Sequence, residues 1–356
     1  MKRTIKHTEK VFQGQEFSIG LDIHKKNFTV NIRNQGRELK NFTMDPEPEQ
    51  LGKYLRKNYP GGIYNSVYEA GFCGYWIHRR LLKEGINNIV INPADVPTKQ
   101  KEKAQKTDKV DSRKLARELE SNSLEKIYVP TEHQEALRGI SRLRFQIVKD
   151  QTRLKNRIIS FLDLQGIKLP ENSEEKHWSK RFIDRIEKIQ FIETYNNIHR
   201  DKLIEELKHQ RRRNLEILRM IKKIAKQTEI IGHLQTVPGI GINTAFSLYS
   251  ELIDMHRFKT VNEVAAIVGL VPSVSESDQT KYNYGLTYRH NKYLRSLLIE
   301  AGWVAIRMDP ALTASFNRYC RRMSKQKAII RITRKLLNRI RYVWLNKKDY
   351  VVGVIE

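Results

Sequence analysis

The stretch FSIGLDIHKKNFTVNIRN, residues 17–34, decides the fold class. An apolar run ends at Asp22, a short polar break follows, and an alternating run begins near Phe28. That is the pattern of a strand, a turn and a partner strand. Working outward, IYNSVYEAG (63–71) reads as another strand and FCGYWIHRRLLKEG (72–85) as the helix after it. NNIVINP (87–93) is a buried strand that stops at Pro93, and TDKVDSRKLARELE (107–120) starts a further helix. YPGGIYN (59–65) is a turn whose paired glycines precede a new strand. Strands alternating with helices predict an α/β domain built around a mostly parallel sheet.

Beyond it the pattern becomes helical. Residues 133–166 and 195–225 repeat apolar positions at three and four, and LPENSEEKHW (169–178) interrupts them. Such long periodic stretches fit either a helical bundle packed on the first domain or an extended coiled-coil arm used for dimer contacts. From Thr228 onward come LQTVPGIGINTAFSLYSEL (234–252), a loop-like GLVPSVSESDQTKYNYG (269–285), and helices dense in arginine and lysine.

The chain has 356 residues and a formal charge of +26, from 66 lysines and arginines against 40 acids. That length allows two or three domains with at least one large core. A surface so positive attracts nucleic acid. No run supplies the roughly twenty apolar residues of a spanning helix, and the first twenty residues lack the apolar centre of a secretory signal. Cys73 and Cys320 are solitary, which argues against a disulfide framework or a cysteine zinc site.

Against this basic background a few acids stand out. Asp22 and Glu69 each fall at a strand end, where open α/β sheets place their ligands. Asp108 and Asp111 are three apart in a helical first turn and share a face. Singly, each has an ordinary reading as a cap, an ion-pair partner or a helix-dipole complement. Together they would repel, and a divalent cation relieves that repulsion while bridging to phosphate. His24, next to the strand end at Asp22, could touch phosphate, but a plain turn histidine is the ordinary reading. In VPGIG, Gly239 and Gly241 permit a tight turn between helices, and the amides that follow would suit a phosphate, as in a helix-hairpin-helix contact to DNA backbone. An ordinary turn between two helices is the alternative.

These motifs, from IGLDIHKKNF through YEAGFCGYWIHRRL and KTDKVDSRKLA to VPGIG, GLVPSVSES and YRHNKYLRSLLIEAG, resemble the DEDD-type insertion-sequence transposases. That group includes the bridge-RNA-guided serine recombinases and is related to the pilin-gene inverting recombinases. The resemblance implies a RuvC-like (ribonuclease-H-type) metal-binding domain over 14–160, a helical coiled-coil arm over 161–227, and a mainly α-helical serine transposase domain over 228–345. It implies that Asp22, Glu69, Asp108 and Asp111 bind Mg²⁺, with Mn²⁺ as a substitute, and that Ser277 attacks DNA. Asp278 stands where the family usually has glycine, and by chemistry alone Ser273, Ser275, Tyr282 and Tyr284 are rivals.

The expected reaction is cutting and rejoining of donor and target duplexes through a phosphoserine. A guide (bridge) non-coding RNA would choose the sites, and a homodimer or homotetramer would act at the prokaryotic nucleoid. Lys281, Arg289, His290 and Arg295 would steady phosphate, and Arg334, Lys335 and Arg339 would hold nucleic-acid backbone. The competing enzyme is a metal-dependent RuvC-like junction nuclease with water as nucleophile. A structural nucleic-acid-binding protein would gain little from four gathered acids.

Overall fold

A computed structural model describes residues 12–97, 107–168, 178–277 and 280–353, with side chains from 274 to 284 outside the description. The chain divides into two compact units, Met1–Val129 and Pro130–Glu356.

The first unit is a five-stranded sheet flanked by helices. Its strands are β1 (Glu16–Ile23), β2 (Phe28–Asn34), β3 (Arg37–Met44), β4 (Ile63–Glu69) and β5 (Asn87–Ile91), in the order β3-β2-β1-β4-β5. β1 pairs antiparallel with β2, and β2 with β3, whereas β1–β4 and β4–β5 are parallel. The sheet is therefore mixed, which corrects the mostly parallel expectation. The reason lies in the turns. Gln35 and Gly36 both have positive φ, 49° and 78°, the requirement of a two-residue hairpin turn that sends β3 straight back along β2.

Alternation along β1 sorts its residues between two faces. Phe17, Ile19 and Leu21 are fully buried with Leu51 and Leu55 of α1 (Pro48–Asn58) and Ile77 and Leu81 of α2 (Trp76–Lys83). The opposite face, which carries Ser18, Gly20 and Asp22, is covered by α3 (Asp108–Glu120). There Leu115 packs with Val67 and Ile91. Gly20 makes this packing possible, because a Cβ at that position would lie 2.0 Å from the Ser112 carbonyl oxygen. Only glycine lets the backbones of β1 and α3 come so close. Thr107 caps α3, its hydroxyl accepting from the Val110 amide.

In the second unit, α4 (Glu132–Leu164) and α6 (Thr194–Lys226) are 33-residue helices packed on each other. Each is about 50 Å long. Toward one end, Leu154, Ile158, Phe161 and Leu207 enclose Phe182 and Ile186 of the short α5 (Lys180–Glu187). Toward the other, Leu137, Ile147, Ile217 and Ile221 join a larger helical core. That core is built by α7 (Glu229–Gln235), α8 (Ile242–Leu252), α9 (Val261–Val268), α10 (Leu294–Met308), α11 (Pro310–Cys320) and α12 (Lys325–Asn346). Helix α12 buries an apolar stripe: Ile329, Ile332, Leu336, Leu337 and Ile340 are at most 2% exposed, while Ile330, expected on the same stripe from the sequence, is only partly buried. The stretch read as a loop contains an antiparallel hairpin, β6 (Pro272–Ser277) with β7 (Thr280–Leu286). Among the described residues, no helix is long and apolar enough to cross a membrane.

Candidate metal centre

The carboxyl ends of β1 and β4 lie side by side. Leu21 partners Tyr68, so the next residues, Asp22 and Glu69, occupy neighbouring positions on the face covered by α3. The first turn of that helix supplies Asp108 and Asp111. Strand ends and helix start thus converge because Gly20 lets the helix settle onto the sheet.

The tightest group is Asp22, His24 and Asp108. One ligand atom from each lies within 4.8 Å of the others. His24 Nε2 is 3.3 Å from an Asp22 carboxylate oxygen and 3.3 Å from one of Asp108. The turn between β1 and β2 holds the histidine there, its backbone N–H donating to the Asn27 carbonyl at 3.0 Å. Asp111 is near enough for its charge to act on Asp22. Glu69 stands outside the three-group cluster, its Oε1 4.0 Å from the nitrogen of Lys114, a lysine buried on α3.

Burial pushes the Asp22 carboxyl above its ordinary range; His24 opposes that rise, while Asp108 and Asp111 add to it. Oxygen donors with one imidazole, gathered around a carboxylate that burial first and its acidic neighbours second keep from ionising, fit a divalent cation. His24 reads from sequence chiefly as a turn residue, whereas the structure groups it with Asp22 and Asp108. Its signal was its position two residues beyond a strand-end acid, where strand alternation returns a side chain to the same side.

The candidates in the second unit sit differently. Gly239, with φ 82°, is required by packing: a Cβ there would lie 2.3 Å from the Ala301 carbonyl oxygen on α10. Gly241 caps α8 and has open space around it. Arg295 donates to the Thr287 carbonyl, and burial lowers its pKa. Arg289 and His290 are exposed just after β7. Arg334 bonds the Leu270 carbonyl and Asn262, and Lys335 bonds the Ser315 hydroxyl. Arg339 binds Asp309 at 2.6 Å and the Tyr350 hydroxyl at 2.5 Å. The last three thus spend donors inside the unit, an ordinary structural use that their spacing did not disclose. The side chains of Ser275, Ser277, Lys281, Tyr282 and Tyr284, and all of Asp278, lie outside the described residues.

Comparison with known proteins carries the chemistry further. Residues 19–166 match the DEDD transposase family of IS110 type, and residues 232–317 match the transposase IS116/IS110/IS902 family. The putative transposase y4rJ of Sinorhizobium fredii is 30% identical over 306 residues, covering 76% of this chain and 74% of the relative. The transposase for insertion sequence element IS1533 of Leptospira borgpetersenii is 27% identical over 302 residues, covering 80% and 84%. That for IS1111A of Coxiella burnetii is 28% identical over 247 residues, covering 68% and 65%. The DEDD-type match contains the Asp22–His24–Asp108 cluster, and together they support metal-dependent nuclease chemistry. The expectation of a phosphoserine intermediate at Ser277 is corrected accordingly. With both halves matched in order and relatives aligned along most of their length, the chain belongs to the IS116/IS110/IS902 transposase family, with an N-terminal region of the DEDD type.

Proposed function

We propose that this transposase is a metal-dependent, RuvC-like DNA nuclease that cuts insertion-sequence DNA with water as the attacking group. One observation carries the reading: Asp22, His24 and Asp108 converge at the carboxyl end of β1. Glu69 and Asp111, beside them, complete the proposed set of four acids. Mg²⁺, or Mn²⁺ in its place, would supply charge to a phosphate and make water a better nucleophile. Asp22, Asp108, Asp111 and Glu69 would hold the cation. His24 Nε2, between Asp22 and Asp108, fixes their spacing and offers a nitrogen donor on the same side. Lys114, its nitrogen 4.0 Å from Glu69 Oε1, would restrain that carboxylate.

The partners follow from charge. With +26 over the chain, duplex DNA is the natural ligand, gripped through its backbone. We further propose that the basic second unit takes up a guide RNA and that the chain works as a homodimer or larger homo-oligomer on DNA. Exposed Arg289 and His290, the amides after Gly241 and the remaining donors of Arg334 and Lys335 are the proposed backbone contacts.

The test is cleavage of labelled duplex and branched DNA by the purified chain, with Mg²⁺, with Mn²⁺ and with EDTA. The expected result is metal-dependent nicking that leaves free 3′-hydroxyl and 5′-phosphate ends. Cleavage indifferent to EDTA, or strands released only as covalent protein–DNA adducts, would overturn the reading. Sequencing of RNA that co-purifies with the chain tests the guide separately.

A further inference from the structure

Three residues beyond Glu69, the chain displays an aromatic side chain to solvent. Phe72 is 64% exposed, and Trp76, at the start of α2, is 41% exposed. Single exposed apolar residues are common and by themselves mean little. The construction around Phe72 is what sets it apart. On one side, the Ala70 N–H donates to the Ile91 carbonyl at 2.8 Å. On the other, the Gly74 N–H donates to the Gly71 carbonyl, and the Tyr68 hydroxyl donates to the Gly74 carbonyl at 2.9 Å. Gly74 turns the chain with φ 58°, and Cys73 packs into the core. Both neighbours of Phe72 are therefore tied down, while its own side chain stays exposed.

The helix that follows continues this face. Trp76, Arg80 and Lys83 fall at i, i+4 and i+7 and are all exposed, whereas Ile77 and Leu81 face the core. The Arg80 guanidinium lies over the Trp76 ring, 5.1 Å from its centre, and also 3.6 Å from a Glu49 carboxylate oxygen. Aromatic faces interleaved with cations are the surface on which unpaired nucleotides stack while their phosphates are neutralised.

We propose that Phe72 and Trp76 form a stacking platform for an unpaired base of the DNA strand being cut. The phosphates of that strand would run along Arg80 and Lys83. DNA is the assigned occupant because the platform begins at the strand end that carries one proposed ligand: Phe72, three residues on, lies at most about 11 Å from Glu69. The inference rests on the nuclease reading for its choice of strand, but its measurement does not require cleavage.

The experiment uses the full chain carrying Asp111→Asn, with a DNA duplex containing one unpaired 2-aminopurine. Stacking quenches that base, and fluorescence anisotropy gives the affinity. Quenching and about a tenfold preference over the fully paired duplex are expected, the order of one base–aromatic stack. Phe72→Ala should lose both while keeping its affinity for paired duplex and its melting temperature. Phe72→Trp should restore them. Quenching that survives Phe72→Ala together with Trp76→Ala would overturn the platform, as would a response to unpaired RNA but not to unpaired DNA. Because the probe is read without strand cutting, a wild-type chain that never cleaves would sink the nuclease reading and leave the stacking result standing. Normal metal-dependent cleavage with no quenching would do the reverse.

Discussion

Asp22 at the end of β1 and Asp309 at the start of α11 are both carboxylates drawn out of water, and they meet opposite surroundings. Asp309 is fully buried, and burial alone would raise its pKa. The Tyr350 hydroxyl, the Leu312 amide and Arg339 overcome that and hold it below the usual carboxylate range. Tyr350 is in turn pushed up to about 12, by burial first and then by its bond to Asp309. Glu251, also buried in the second unit, is likewise met by donors, Arg142 at 2.7 Å and the Asn291 side-chain amide at 2.7 Å. Asp22 has burial without such relief, since two further acids press on it and His24 is the opposing group. Buried acids matched with donors in their own unit hold helices together. An acid crowded among acids at a strand end costs stability and is explained by a cation arriving from outside.

That contrast breaks first under mutation of the crowded acids. Asp22→Asn and Asp108→Asn should each lower metal-dependent cleavage by about a hundredfold or more, since ligands matter at least as much as the groups that orient them. Their metal-free melting temperature should not fall. Single-turnover cleavage alongside a melting curve checks both halves. A variant that cuts normally removes its residue from the site.

The matched acids should respond in the opposite sense. Asp309→Asn leaves Arg339 without its buried counter-charge and should cost about 3 kcal/mol of stability. Because the Asp309 carboxyl lies below its ordinary value, its contribution is present above pH 3.8 and is lost as the pH falls through its folded pKa. Urea denaturation of the wild type and the variant measures the difference at neutral pH. A loss under 1 kcal/mol would mean that Asp309 is no more satisfied than Asp22.

Legibility in the sequence follows the same division. Strands β1, β2, β4 and β5 and helix α3 were readable because alternation or helical periodicity ran unbroken between turn signals. β3 was missed because RELKNFTM is mostly exposed and lacks an apolar stripe. The hairpin of β6 and β7 reads as a loop because β6 is rich in serine and β7 is interrupted by Gly285. At the site, Asp22 and Asp108 were legible as boundary acids, but their closeness was not, since it depends on an absent Cβ at Gly20. The internal partners of Arg334, Lys335 and Arg339 lie 72, 20 and 30 residues away along the chain, beyond what local pattern reveals.

Lys114 sharpens the comparison from within the first unit. It is buried like the matched residues yet points its nitrogen toward Glu69, one of the proposed ligands. Lys114→Met should slow cleavage about 10- to 100-fold by releasing Glu69, the usual range for a group that orients a ligand. Lys114→Arg should recover part of the rate. Equal rates for all three chains would make Lys114 a packing residue only.

The smallest effect is a pH dependence of opposite sign to that of Asp309. The Asp22 carboxyl is raised above 3.8 in the folded chain, so just above that pH the native state holds a proton that the unfolded state has released. Stability then declines as the pH rises from 3.8 through the folded pKa, because more protons are bound in the native state than in the unfolded one. In metal-free buffer, the difference in stability between wild type and Asp22→Asn should therefore shift against the wild type across that window. Adding Asp108→Asn should shrink the shift, since one source of repulsion is gone, although burial, the larger cause, remains. Divalent metal should reverse it by favouring the ionised carboxylate. A difference that is flat with pH would show that Asp22 is as comfortably charged as any surface acid, and the crowding that distinguishes the two units would have no energetic content.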